Sequence, residues 1–242
     1  KENDAEIFID TSGETLAKHG YRKIPGKAPM LEALAAGTIM ATGWDRKSPF
    51  VVPMCGSGTL AIEAALLATD KTPGMFRMNY GFMHIIGYNE EVFFEERRKL
   101  KEKAKREIDF RIVATDHSED AVDISRKNAK TAGVDHLIDF SVCDFADTEV
   151  PEGSGIVIFN PEYGERLGVH TKLEATYKRI GDFMKQKCKG YRGYIFTGNP
   201  DLAKKIGLRA SRRIEFYNGK LDCRLLEYEL YEGSKREPKP ES

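Results

Sequence analysis

An amide, a proline carbonyl and an aromatic ring occur together in Asn160-Pro161-Glu162-Tyr163, directly after the apolar run 156–159. The oxygens of Asn160 and Pro161 can accept the two hydrogens of an amino group on a flat base, which draws the nitrogen lone pair out of conjugation. The ring of Tyr163 can stack on that base, a contact that contributes roughly 1–3 kcal/mol. The segment therefore indicates a site for a base with an exocyclic amine. A plain strand-to-loop turn is the alternative, because Asn-Pro is common in turns.

A glycine-containing turn lies between the apolar run 50–52 and a helical pattern at 59–68. Its residues are Pro53, Met54, Cys55, Gly56, Ser57, Gly58 and Thr59. Glycines at such a turn let the backbone approach a ligand at the N-terminus of the helix. Position 61 is Ala, so a GxGxxG motif is incomplete, and the Gly-Lys-Ser/Thr ending of a P-loop is absent. Dinucleotide and ATP sites are therefore disfavoured, while a tight structural turn stays open as the alternative.

Two aspartates follow later apolar runs. Asp116 ends the run 112–116, at the position where a carboxylate grips the hydroxyls of a ribose at the edge of a parallel sheet. A helix N-cap is the alternative role, which Ser118 can also fill. Asp144, after Val142-Cys143, offers an acceptor where an adenine amino group would lie, although an ordinary loop aspartate fits nearly as well.

The elements that must position these residues follow from the hydrophobic pattern. Further apolar runs lie at 110–115, 138–142, 155–159 and 191–197, and helical patterns lie at 31–40, 118–132 and 172–188. Their alternation predicts an α/β fold with a mostly parallel sheet and helices on both faces. Asn218-Gly219, between 213–217 and 221–231, predicts a hairpin that closes the sheet with an antiparallel pair. We also expect a short strand at 5–9 and a covering helix at 90–107.

Composition limits the class of protein. The chain has 242 residues, 40% of them hydrophobic, which suffices for one main domain, and its apolar runs are far shorter than the roughly 20 residues of a membrane span. No signal-peptide pattern opens the sequence. The cysteines are widely spaced and form no zinc-type ligand pattern, so we expect no metal and reduced thiols in a cytoplasmic protein. Lys plus Arg equals Asp plus Glu at 38 each, which argues mildly against a dedicated nucleic-acid binder.

These motifs together resemble the THUMP-associated RNA methyltransferases (UPF0020-like), and within them the bacterial 23S ribosomal RNA guanine-N2 methyltransferases. Some members of that group are labelled N6-adenine DNA methylases. The resemblance covers nearly the whole chain. It is carried by the glycine turn with Ile62-Glu63-Ala64-Ala65, by Thr72-Pro73-Gly74, by the stretch from Asn160 to Leu167, by the stretch from Asn218 to Leu225, and upstream by residues 10–14, 20–22 and 28–30.

The resemblance implies a Rossmann-like class I methyltransferase with a seven-stranded sheet and S-adenosylmethionine as cofactor. It places the methionine end of the cofactor at the Pro53 to Thr59 turn, the ribose at Asp116 and the adenine at Asp144. It makes Asn160, Pro161 and Tyr163 the catalytic residues that hold the target base, with Asn160 also beside the cofactor. The expected reaction is methylation of guanine N2 in 23S ribosomal RNA.

The resemblance also predicts the organisation of the chain. Residues 1–27 would be a linker segment, 28–231 the methyltransferase domain and 232–242 a disordered tail. The family carries a THUMP RNA-binding domain upstream, which would precede residue 1, so we expect this chain to be a fragment. The partner would be RNA, bound with help from that domain and without a membrane.

Two positions depart from the family pattern, and rival functions stay open. The family usually has Asp where this chain has Val52, a loss expected to reduce cofactor affinity by roughly ten- to a hundredfold, and a second proline where it has Glu162. Neither change removes an acceptor or the stacking ring. The rivals are methylation of adenine N6 or cytosine N4 in DNA, a non-catalytic domain that binds nucleic acid or cofactor, and, more distantly, a nicotinamide oxidoreductase.

Overall fold

The computed structural model describes residues 5–24, 30–163 and 170–231. These residues form one seven-stranded sheet in the order β3-β2-β1-β4-β5-β7-β6. The strands are β1 (Phe50–Pro53), β2 (Ile112–Asp116), β3 (Ile138–Val142), β4 (Ile156–Phe159), β5 (Arg192–Thr197), β6 (Arg212–Asn218) and β7 (Leu221–Glu229). The first five run parallel, and β7 pairs antiparallel with both β5 and β6. The predicted mostly parallel sheet and its closing hairpin are confirmed.

The α-helices of the described residues are α1 (Glu32–Ala41), α2 (Thr59–Ala68), α3 (Glu90–Lys103), α4 (Glu119–Ala132), α5 (His170–Lys187) and α6 (Pro200–Lys204). The predicted helices 59–68, 118–132 and 172–188 therefore agree with α2, α4 and α5 to within two residues. The sequence pattern missed α6. Its signal was Asn199-Pro200, because the side chain of Asn199 caps the helix by accepting from the N–H groups of Asp201 and Leu202, both at 3.1 Å.

The helices cover both faces of the sheet. Successive residues of a strand point to opposite faces, so Val51 and Val52 enter two different apolar clusters. The first cluster contains Val52 and residues of α1, α2 and α4, while the second contains Val51 and residues of α5 and α6. Because both faces are buried, β1 and β4 are apolar throughout and β2 is apolar over residues 112–114, and these runs are what made the strands recognisable in the sequence.

The predicted strand at 5–9 is wrong. These residues form no strand, and Ile7, Phe8 and Ile9 are largely exposed. Isoleucine and phenylalanine favour strands only where a neighbouring strand pairs with them, and here none does among the described residues. The N-terminal segment is instead fixed to α2 at Tyr21. This residue is buried, and its hydroxyl donates a hydrogen bond to the Glu63 carboxylate of α2 at 2.7 Å.

The insertion between α2 and β2 packs mainly on itself. Tyr80, Phe82, Tyr88 and Phe93 form a cluster of ring contacts with centroids 5.2–6.3 Å apart. The covering helix predicted at 90–107 exists but ends at Lys103 and buries no residue fully. No helix of the described residues has the length and apolar character to cross a membrane.

Several sequence expectations lie outside the described residues. They are residues 28 and 29 of the upstream stretch 28–30 that carries the resemblance, the family motif from Gly164 to Leu167, and the tail 232–242. The domain boundaries at 27/28 and 231/232 stay predictions.

Candidate active site

The parallel sheet brings the candidate residues to one edge. The glycine turn follows β1, Asp116 ends β2, Asp144 lies two residues after β3, and Asn160 follows β4. Strands β1 and β4 are neighbours at the point where the chain order reverses direction across the sheet. Ligands of open α/β sheets bind at such a switch point, outside the carboxyl ends of the strands. The fold therefore places the glycine turn and the Asn160 segment on the two sides of one crevice.

The glycine turn has a backbone that few side chains allow. Met54, Gly56 and Gly58 all have positive φ, at 63°, 56° and 83°. A Cβ on Gly58 would lie 2.0 Å from the Oγ of Ser125 in α4, so only glycine fits at this point. The close approach lets α4 pack against the turn and leaves the N-terminus of α2, beginning at Thr59, at the sheet edge.

Asp116 connects the glycine turn to β2. The residue is only 8% exposed, and its Oδ2 accepts a hydrogen bond from the Gly56 N–H at 3.0 Å. Its Oδ1 accepts from the Ser118 N–H, also at 3.0 Å. The N-cap of α4 is Ser118, whose hydroxyl accepts from the Ala121 N–H at 3.3 Å. The alternative N-cap role for Asp116 is therefore filled by Ser118, and the ribose role stays a prediction.

Asp144 is held by its surroundings. Its Oδ1 accepts hydrogen bonds from the Arg179 guanidinium at 2.7 Å and from the Ala146 N–H at 2.9 Å. Partial burial by itself would raise the pKa of this carboxyl, but these hydrogen bonds outweigh it and lower the pKa. The adjacent Phe145 is buried in the second cluster, with the Arg179 guanidinium 4.8 Å from its ring centre. The carboxylate thus stays ionised, while the neighbouring ring belongs to the core.

Asn160 carries an unused hydrogen-bond acceptor. Its Oδ1 is buried and has no hydrogen-bond partner in the part of the chain that the structure describes. A buried amide oxygen without a partner costs about 1–3 kcal/mol, so such atoms mark places where a ligand is expected to supply the donor. Pro161 beside it is buried and Glu162 is exposed. The site thus has an acceptor without a donor where the sequence pattern predicted one for an amine.

Tyr163 lies against the end of the sheet. Its ring is partly buried on the first apolar cluster, and its hydroxyl accepts a hydrogen bond from the Asn218 side chain at 3.2 Å. Burial raises the pKa of this hydroxyl, which keeps it protonated at neutral pH. A partly exposed aromatic ring three residues after the Asn160 amide suits the capture of a flat base.

Sequence reasoning missed a residue that connects the glycine turn to the N-terminal segment. Asn128 of α4 is buried, and its Nδ2 donates to the carbonyl oxygens of Ser57 at 3.2 Å and of Ile24 at 3.1 Å. Its Oδ1 accepts from the Ile24 N–H at 3.3 Å. Nothing local marks this residue in the sequence, because Ser57 is 71 positions away.

The turn's cysteine is not a nucleophile. Burial, with a smaller contribution from the nearby Asp116 carboxylate, raises the pKa of Cys55 to about 12. A thiol with that pKa is protonated at neutral pH and does not form a covalent intermediate. All four cysteines lie within the described residues and are free. Those residues also contain no cluster of side chains able to hold a metal.

Two side chains have surroundings that the sequence does not reveal. Val52 is 1% exposed and belongs to the first apolar cluster, so a carboxylate at this position would have to turn out of the core to reach a ligand. Its effect on cofactor affinity stays a prediction. Arg22, one of the basic residues of the N-terminal segment, is paired with the buried Glu32.

Comparison with known proteins gives one family. The profile of the RMKL-like methyltransferase domain (UPF0020) matches residues 19–227. The ribosomal RNA large subunit methyltransferase K/L of Syntrophotalea carbinolica is 38% identical in an alignment of 241 positions that covers 95% of this chain and 34% of that protein. The chain thus spans about a third of the length of this relative.

Solved structures agree with that match. SMU.472, described as a methyltransferase complexed with SAH, has a TM-score of 0.85 at 31% identity. The alignment covers 93% of this chain and 58% of the SMU.472 chain. A protein from Listeria monocytogenes, described as a predicted N6-adenine-specific DNA methylase, has a TM-score of 0.83 at 30% identity. That alignment covers 91% of this chain and 57% of the Listeria chain.

Proposed function

We propose that this chain, which belongs to the RMKL-like methyltransferase domain family, methylates the exocyclic N2 amine of guanine in 23S ribosomal RNA with S-adenosylmethionine as methyl donor. The observation that carries the proposal is the buried Oδ1 of Asn160, which has no hydrogen-bond partner among the described residues, together with the partly buried ring of Tyr163 three positions further on. An acceptor and an aromatic surface are what a flat base with an amino group requires.

The residues at the sheet edge fit the cofactor. The backbone of the glycine turn, where Gly58 lacks the Cβ that would strike Ser125, would hold its methionine end. Asp116 would hold the ribose and Asp144 the adenine, each with a carboxylate fixed by N–H groups of the protein. SMU.472, a relative of 31% identity, is complexed with SAH, which supports the same cofactor here. When bound, S-adenosylmethionine supplies an electrophilic methyl group.

The protein contributes position and hydrogen bonding. Asn160 Oδ1 would accept one hydrogen of the base amine and the Pro161 carbonyl the other, which turns the nitrogen lone pair toward the methyl donor. Tyr163 would hold the ring, since an aromatic face stacks on any base. An amide oxygen does not take a proton at neutral pH, so the proton that leaves the amine passes to water. No covalent step is needed, in agreement with the raised pKa of Cys55.

The choice of RNA rests on a relative. The 38% identical protein from Syntrophotalea is named a ribosomal RNA large subunit methyltransferase, which supports ribosomal RNA as substrate and the cytoplasm as location. The chain has zero net charge, and affinity for nucleic acid rises with the number of phosphates that a protein neutralises. We therefore propose that a THUMP domain upstream in the whole protein supplies RNA affinity.

A second candidate is methylation of DNA at adenine N6 or cytosine N4. It is favoured by the Listeria protein, which carries the description of an adenine-specific DNA methylase. The Asn160 and Tyr163 side chains recognise an amine on a planar ring and do not by themselves distinguish the bases.

Mass spectrometry of nucleosides distinguishes these functions. The protein is incubated with S-adenosylmethionine and either 23S ribosomal RNA from a strain that lacks the gene or unmethylated DNA. We expect N2-methylguanosine in the RNA, and no further methylation of RNA from the parent strain, whose guanine is already modified. N6-methyladenine or N4-methylcytosine in the DNA, with none in the RNA, would overturn the proposal.

A further inference from the structure

We infer that the C-terminal hairpin β6–β7 positions the base-binding ring, with Asn218 as a positioning residue for Tyr163. The inference rests on the proposed function, because it gives the hairpin a part in holding the target base. The hairpin tip is otherwise explained as a turn, since Asn-Gly is the common sequence of tight hairpins.

The first observation is the hydrogen bond between the two side chains. Asn218 Nδ2 lies 3.2 Å from the Tyr163 hydroxyl, although the residues are 55 positions apart. Asn218 ends β6 and is paired with Leu221 of β7, and Gly219 between them has a φ of 64°. The tight turn fixes the backbone of Asn218, and the side chain of Asn218 then reaches out of the hairpin to the loop after β4.

The second observation is the surface on which the ring rests. A Cβ built on Gly198, just after β5, would lie 3.2 Å from two ring carbons of Tyr163 and 3.4 Å from the Sγ of Cys223. Cys223 is fully buried in β7. The ring therefore lies against a glycine backbone and close to the hairpin, and the absence of a side chain at Gly198 makes room for it.

These contacts fix the ring before a base arrives. The Asn218 hydrogen bond restrains the far end of the ring and the Gly198 backbone restrains its side, so less freedom is lost when the base stacks. The Tyr163 hydroxyl is then an anchor within the protein, and the aromatic face is the part left for the ligand. Substitution at Asn218 should therefore weaken capture of the base and leave the chemical step unaffected.

A double-mutant cycle tests the coupling. We compare Asn218→Ala, Tyr163→Phe and the double variant under steady-state conditions with 23S ribosomal RNA. Each single variant is expected to raise the KM for RNA by about two- to tenfold, the range for one lost hydrogen bond, with kcat and cofactor Kd unchanged. The double variant should be no worse than either single one. Either of two outcomes would overturn the inference. The effects of the two single substitutions on the KM would add in the double variant, or the KM would be normal in both single variants.

Two further variants separate positioning from folding. Leu221 is paired with Asn218 across the hairpin, and its own side chain is exposed. If Asn218 itself positions the ring, Leu221→Ala should leave the KM for RNA unchanged, whereas a general requirement for the hairpin to fold would raise it. Gly198→Ala adds a methyl group against the Tyr163 ring. It should therefore raise the KM for RNA, although Asn218 and the Tyr163 hydroxyl are both unchanged. A raised KM in Leu221→Ala, or a normal KM in Gly198→Ala, would contradict the inference.

Failure of the positioning role of Asn218 can be distinguished from failure of the proposed function. If the wild-type protein methylates neither RNA nor DNA, the proposed function fails, and crystal structures of the wild type and Asn218→Ala decide the positioning by themselves. A Tyr163 ring displaced in the variant supports the inference, and an unmoved ring overturns it.

Discussion

The carboxylate of Asp116 accepts a hydrogen bond from the backbone N–H of Gly56 at 3.0 Å, which ties the end of β2 to the glycine turn after β1. The two segments that would hold opposite ends of one cofactor are thus parts of a single hydrogen-bonded unit. Asp116 is 8% exposed, so its carboxylate makes few hydrogen bonds to water.

We predict that Asp116→Ala weakens binding of S-adenosylhomocysteine by at least about tenfold, since a hydrogen bond to a charged group contributes about 1.5–3 kcal/mol. Isothermal calorimetry gives the Kd. Ser118→Ala is the matched control, because it removes the cap of α4 and lowers stability while leaving the carboxylate in place. Equal affinities for Asp116→Ala and wild type would contradict the ribose role.

The two glycines of the turn should differ in their tolerance of alanine. Both have positive φ, so each substitution strains the backbone by about 1–2 kcal/mol. At Gly58 the new Cβ also strikes Ser125 Oγ at 2.0 Å, whereas at Gly56 nothing lies within 4 Å. We therefore expect Gly58→Ala to lower the free energy of unfolding by about 1–3 kcal/mol more than Gly56→Ala, measured by urea unfolding. Similar losses would show that α4 does not pack tightly on the turn.

Cysteine reactivity should follow burial. Burial raises the pKa of both Cys55 and Cys188 to about 12, so both thiols stay protonated at pH 8. Cys143 is partly exposed. We predict that iodoacetamide at pH 8 alkylates Cys143 first and spares Cys55 and Cys188, as read by peptide mass spectrometry. Early alkylation of Cys55 would mean that the turn opens or that its thiol is activated.

Alkaline pH should loosen the N-terminal segment through Tyr21. Burial and the adjacent Glu63 carboxylate raise the pKa of Tyr21 well above 10. A group whose pKa is raised on folding contributes stability that is fully present below its unfolded pKa, near 10, and is lost as pH rises through the folded pKa. Thermal unfolding between pH 8 and 11 should show a steeper loss above pH 10 for wild type than for Tyr21→Phe. The difference isolates Tyr21 from the other buried tyrosines, and parallel curves would contradict the assignment.

The fold and the four strand-end segments could be predicted because their signals are local. Each central strand is an apolar run, and Asp116 and Asn160 stand immediately at a strand end, which fixes their place at the sheet edge. The packing of Tyr163 on Gly198 could not be predicted, because it depends on the pairing of β4 with β5, whose ends are far apart in sequence. The bond of Tyr163 to Asn218 could not be predicted either, because it depends on where the hairpin β6–β7 lies after β7 pairs with β5. The wrong strand at 5–9 has the converse cause, since its residues favour a strand but no strand of the described residues pairs with them.

The two side chains of the base site should fail in different ways. We predict that Tyr163→Ala raises the KM for RNA with little effect on the chemical rate, because stacking exists before the reaction and is not strengthened by it. The expected loss corresponds to roughly 1–3 kcal/mol of base capture. Single-turnover rates at varied RNA concentration give both quantities, and a reduced rate at saturating RNA would contradict this role.

The most direct test of the account is the single-turnover rate of Asn160→Ala with saturating cofactor and RNA. The amide oxygen would act mainly as the amine nitrogen rehybridises, so its loss should lower the chemical rate by about a hundredfold or more while cofactor binding stays near normal. Asn89→Ala, the same change at the exposed cap of α3, is the matched control and should keep the wild-type rate. A normal chemical rate in Asn160→Ala would contradict the central claim that this buried oxygen serves the reacting amine.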